Sequence, residues 1–249
     1  MKITYSILAL LFIAILWTWT QMPEISTNQE LVTELPWIIK TDEQGGSEVF
    51  GLAIENATVR QAQQRFNDEA EFGIFLDKDG TRSLEAFFNH TYIAGLQARI
   101  TLTLETSENE LRLFAEQAID KKAQPSNSYK LVLPSELNET LFNHRFSSIT
   151  YQPKIKIEHE ILIARFGKPD ITTQPDSQTL QWHYPDKGLM ITLVTDQKPV
   201  FHYVRPDQYN RYFSIRNSGA AADRSQPESD TATATGQQEH QKESDIAKD

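Results

Sequence analysis

The chain has 249 residues, 39% of them hydrophobic, and 24 lysines and arginines set against 34 aspartates and glutamates leave a formal net charge of −10. Such a length can bury one medium core or two small ones, while the negative field argues against general nucleic-acid binding. With no cysteine, disulfides, thiolate chemistry and cysteine-ligated metal centres are excluded.

From Ile3 to Trp19 the stretch ITYSILALLFIAILWTW carries no charge and follows Lys2. At the rise of an α-helix it is about 25 Å long, which predicts a transmembrane helix. Glu24, Glu30 and Glu34 precede the next basic residue, Lys40, so the positive-inside bias places the N-terminus in the cytoplasm and the bulk of the chain outside. Residues 1–20 thus read as a signal anchor in a bacterial inner membrane; WTWTQMPE lacks the small-x-small site of a cleaved signal peptide. Residues 21–47, with Pro23, Pro36 and Gly45-Gly46, read as a spacer.

Residues 48–105 read as a first α+β module. Thr58 and Gln61 form a capping box for a helix whose inner face is Val59, Ala62 and Phe66. EFGIFL and TRSLEAFF follow as strands around the turn Lys78-Asp79-Gly80, and GLQARITLTLE alternates Leu96, Ala98, Ile100, Leu102 and Leu104 with polar residues, as in a sheet with one wet face. Residues 106–156 read as a connector. Its helix is capped by Ser107 and Glu110 and carries Leu111, Phe114, Ala115, Ala118 and Ile119 on its apolar side.

Residues 157–216 repeat the order helix then three strands. EHEILIARF ends at Gly167 and is stopped by Pro169. TLQWHY, LMITLV and PVFHYV then form a meander. The expected class is α+β: antiparallel three-stranded meanders on short helices, read as two related modules after an N-terminal transmembrane helix. Residues 217–249 hold no aromatic residue and read as a disordered tail.

The motifs that carry chemistry are scarce. ARFGKPD, Ala164 to Asp170, has neither GxxxxGK[ST] nor GxGxxG, and its glycine follows a helix instead of opening one. In DKDG, from Asp77, the sixth and twelfth EF-hand positions are Arg82 and Phe88, so a calcium loop fails. His183 and His202 fall on neighbouring strands, out of phase with the apolar set, and read as surface histidines of one wet face. No G-x-S-x-G elbow occurs. The reading is therefore of no catalytic residue, cofactor or metal. FHYVRPDQYNRYFSIR, in contrast, interleaves arginine with aromatics. Arg205, Tyr209, Arg211, Tyr212 and Phe213 are the expected protein-contact residues.

The sequence from Glu158 to Val204, through Gly167, Pro169, Trp182 and Tyr184, resembles the small outer-membrane assembly lipoproteins of the BamE/SmpA/OmlA type. The resemblance implies a helix pair against a three-stranded antiparallel sheet and an envelope compartment; the lipid-bearing cysteine of that group is missing here. Together these readings suggest a non-enzymatic, membrane-anchored periplasmic protein. It would be held in the inner membrane through residues 3–19 and serve as an interaction or envelope-assembly accessory with an envelope protein partner. The alternative is a periplasmic small-ligand-binding domain or hydrolase with its site between the modules.

Overall fold

The computed structural model describes residues 35–76, 81–124 and 128–213. Three short strands, β1 (Ile39–Thr41), β2 (Ser47–Val49) and β3 (Leu52–Ala53), make a small sheet ahead of helix α1 (Val59–Phe66). The chain continues through β4 (Glu71–Leu76), β5 (Arg82–Ile93), β6 (Leu96–Leu104), α2 (Glu108–Glu116), β7 (Asp120–Ala123) and β8 (Tyr129–Val132). It then forms α3 (Asn138–Leu141), β9 (Phe146–Pro153), α4 (His159–Phe166), β10 (Ile171–Thr173), β11 (Thr179–Tyr184), β12 (Leu189–Val194), β13 (Val200–Val204) and α5 (Tyr209–Phe213).

Strands β4 to β13 belong to one ten-stranded antiparallel sheet in the order β10-β11-β12-β13-β9-β6-β5-β4-β8-β7. This corrects the expectation of small three-stranded meanders. The strand that overturns it is β9, which pairs on one side with β6 (Ile100 opposite Tyr151) and on the other with β13 (Tyr151 opposite Phe201). Both of its edges are consumed, so the β11-β12-β13 meander continues into the strands of the N-terminal half instead of ending at an edge of its own.

The segment Ile3–Trp19 lies outside the described residues, as do Lys78-Asp79-Gly80 and residues 217–249. Among the described residues no helix is long and apolar enough to cross a membrane. The fold class of the described residues is thus α+β with one large antiparallel sheet, and no transmembrane helix is among them. The inner-membrane partner, the single-pass periplasmic placement and the envelope-assembly role, read from that segment and from the resemblance, find no support among the described residues and are not carried further; the alternative site between two modules is set aside with the modules, since a continuous sheet replaces them.

One face of the sheet carries the core. Ala98, Ile100 and Leu102 on β6, Leu84, Ala86 and Phe88 on β5, and Phe201 and Tyr203 on β13 are buried, and Val59, Ala62 and Phe66 of α1 join the same cluster. Phe50 ties the small sheet to the large one, with ring centroids 6.2 Å from Phe66, 5.4 Å from Tyr151 and 5.7 Å from Tyr203. Such ring pairs contribute about 0.5–1.5 kcal/mol beyond the area they bury. Both predicted capping boxes are present: Thr58 accepts from the Gln61 N–H, and Ser107 from that of Glu110. Helix α2 stops at Glu116, however, so Ala118 and Ile119 fall beyond its apolar face and Ile119 is 69% exposed.

The opposite face of the sheet is lined by half-buried side chains such as Phe87, Thr101 and Thr150, aligned by the register Thr150–Thr101–Phe87. At one corner of this face lies α5. It is positioned by the β12–β13 end, where Gly188 (φ +61°) accepts a hydrogen bond from the Val204 N–H at 2.8 Å.

Candidate contact site

The ARFGKPD corner is architectural. The Gly167 N–H closes α4 on the Ile163 carbonyl at 2.9 Å, and its own carbonyl accepts from the Tyr184 hydroxyl at 2.9 Å. With φ at +85°, Gly167 sits in the left-handed region that glycine reaches without a steric cost. Tyr184 and Trp182 face α4, with Tyr184 against Phe166 and Trp182 against His159. Lys168 and Asp170 are exposed.

His183 and His202 share a face, since Met190 stands opposite both of them across the β11-β12-β13 register. They are not surface histidines. His183 is 3% exposed: Nδ1 meets the Tyr209 hydroxyl at 2.9 Å and Nε2 meets Thr173 Oγ1 at 2.8 Å. His202 Nδ1 meets Thr150 Oγ1 at 3.2 Å, and Phe213 stands over its ring. Burial lowers the proton affinity of both, taking His202 down to about 4. They are neutral at pH 7. Both nitrogens of His183 are already occupied by protein groups, which leaves it no lone pair or proton for a substrate. Among the described residues no group of three or more histidines, aspartates and glutamates could hold a metal ion.

The arginine-aromatic strip divides into an anchoring half and a presenting half. Arg205 is an anchor: its guanidinium grips Asp207 with two hydrogen bonds of 3.0 and 2.8 Å, lies 3.2 Å from Glu55, and donates to the Gln44 carbonyl at 3.3 Å. The bidentate bond with Asp207 is the main reason that its own pKa is raised and that of Asp207 lowered. Tyr209 is buried on His183, 1% exposed, so it too holds and does not present. Arg211 and Tyr212 are exposed, Tyr212 by 41%, and Phe213 is half-buried against Tyr209.

Beneath Arg211 and Tyr212 opens a cleft of about 450 Å³, lined also by Glu55, Glu105, Thr106, Ser147 and Gln208. Glu105 also lines a second hollow, of about 680 Å³, with Glu139, His144 and Arg145. Partial burial first, and the neighbouring Glu55 second, hold the Glu105 carboxyl above its ordinary range, while Arg145 and Arg205 pull it down. Tyr212 is raised by burial, with a hydrogen bond to Ser147 acting the other way. The cleft thus offers carboxylates at its wall and an arginine and a phenol ring at its lip. It has the groups of a binding surface.

Sequence reasoning found the strip and missed the carboxylates. Glu55 is placed by a left-handed backbone (φ +67°) and by a 2.8 Å bond from its N–H to the Phe146 carbonyl. The one local signal was Glu105 ending the alternating β6 run, where a charged residue marks the strand's exit from the core.

The chain matches no family model, no curated protein and no solved structure.

Proposed function

We propose that this chain is a non-enzymatic recognition domain that takes a segment of another protein in the cleft under α5. Arg211, Tyr212 and Phe213 form the contact, and Arg205 and Tyr209 hold it in place. The observation that carries the reading is the division of labour within the strip: two side chains lock a one-turn helix to the sheet, and the next two stand exposed over a cleft. Tyrosine and arginine on a rigid support are the residue types that dominate binding energy at protein interfaces, and preorganisation lowers the cost of ordering them on association.

Photo-crosslinking tests the assignment. A benzophenone amino acid at Tyr212 in the full chain, expressed in its own cells, should give an adduct of discrete mass that Arg211→Glu abolishes. The same probe at Leu113, half-exposed on α2, should not give it. Identical adducts from both positions, or none from Tyr212, would sink the reading.

A further inference from the structure

We propose that α5 is an acid-released strap: protonation of His183 and His202 beneath it lifts the helix from the sheet and dismantles the contact surface it presents. The register sets the two imidazoles on one face with Met190 between them. Tyr209 packs on His183 with ring centroids 6.2 Å apart, and Phe213 on His202 at 6.4 Å; Tyr209 and Phe213 meet each other at 4.7 Å. The rings form an arch of four, histidine-tyrosine-phenylalanine-histidine, with both feet on titratable groups. A five-residue helix cannot hold itself in water, so its position depends on these contacts, on the Arg205 clamp that precedes it, and on the hydrogen bonds of Tyr209 to the Tyr184 backbone and of Tyr212 to Ser147.

The groups that face each imidazole determine the outcome. Against His183 stand Thr173 of β10, Met190 of β12 and Tyr209 of α5, with Asp170 beside the corner: its N–H bonds the His183 carbonyl at 3.0 Å and its charge bears on Tyr184 and Tyr209. Against His202 stand Thr150 of β9, Met190 and Phe213. Hydroxyls, a thioether and a phenyl ring can accept a neutral imidazole but do little to stabilise a buried cation. Two protons taken up under one helical turn are therefore relieved by exposing both rings to water, and α5 is the cover that can move. Burial lowers the proton affinity of both imidazoles from the ordinary 6.5, so the stability they lend the closed strap is present above that pH and is lost as pH falls below it, which places the release on the acid side of neutrality.

Release of the helix stands on this geometry alone; its consequence for binding rests on the recognition reading. Hydrogen exchange followed by mass spectrometry on the full chain, corrected for intrinsic exchange, would compare pH 7.5 with pH 4.5 (about three pH units, across which each proton can contribute up to tenfold per unit). Protection of the peptide spanning Arg205–Phe213 should fall by about tenfold or more, with β5 and β6 unchanged. In His202→Gln the fall should shrink to about threefold. Equal protection at both pH values in the wild type, or an undiminished fall in both His202→Gln and His183→Gln, would overturn the proposal. If a variant loses the strap at every pH, the wild type decides. Imidazole resonances of His183 or His202 must then titrate together with the loss of protection, and midpoints a full pH unit away overturn it. A Tyr212 crosslink that persists undiminished at pH 4.5 would overturn the regulatory consequence. No crosslink at either pH would count against the recognition reading and leave strap release judged by the exchange data.

Discussion

Replacing Gly188 by alanine tests how the end of the sheet is built. A Cβ added there would lie 2.0 Å from the Val204 carbonyl oxygen and 3.2 Å from Pro206, and the residue has φ of +61°. The left-handed conformation costs a side chain about 1–2 kcal/mol. Forcing a methyl group against a backbone atom adds about 1–3 kcal/mol of overpacking, because the carbonyl is held in the sheet and cannot swing aside as a flexible side chain would. The expected loss for Gly188→Ala is therefore about 2–5 kcal/mol. Gly95 supplies the control. Its φ is +80° and an added Cβ meets nothing within 4 Å, so Gly95→Ala should lose only the conformational part, about 1–2 kcal/mol. Urea unfolding followed by circular dichroism would give both values from midpoints at constant slope. If the two variants come within about 0.5 kcal/mol of each other, the close approach of Gly188 to Val204 has no energetic meaning and the reasoning fails.

Other outcomes follow from the same structure. Phe201→Ala empties a fully buried site between Tyr151 and Phe166 and should cost about 3–5 kcal/mol in the same assay; a loss under about 1 kcal/mol would mean that the site collapses freely. Thr58→Ala and Ser107→Ala each remove one half of a capping box and should cost about 1 kcal/mol apiece. As the two caps serve separate helices, the double variant should show the sum, and strong non-additivity would contradict that independence. Burial raises Tyr151 and Tyr184 to about 12, with Asp170 adding to the shift at Tyr184. A neutral phenol favoured in the folded state contributes stability that is complete below pH 10 and is lost as pH rises toward 12. Phenolate absorbance should then show part of the tyrosine signal appearing only as the chain unfolds, and ionisation of all eight tyrosines near pH 10 in a still-folded protein would refute their burial.

The local architecture was legible because local chemistry encodes it. Thr58 with Gln61 and Ser107 with Glu110 start helices as their spacing demands, Gly167 ends one, and the alternation from Ala98 to Leu104 fixes which side of β6 is buried. Partnership between strands was not legible. Nothing local to FSSITYQP says that Tyr151 stands between Ile100 and Phe201, since pairing is settled by long-range complementarity. The same holds for His183: its phase put it on the polar face, and only Tyr209, in a later element, turns that face into an interior. The strip from Arg205 to Phe213 was visible by composition, but which of its members hold and which present depended on Asp207 and Glu55.

The position of β9 bears on how the chain is made. Strands β4 to β8 precede it in synthesis, so its pairing with β6 can form as soon as Pro153 emerges. Its other edge has no partner until Val200–Val204 is complete. Through that interval the nascent protein carries an open edge in the middle of its future sheet, with Ile149 and Tyr151 alongside, the kind of transient strand edge from which aggregation starts. Synthesis paused between Lys154 and Val204 would prolong that exposure, so slow translation of this stretch should lower the yield of folded chain.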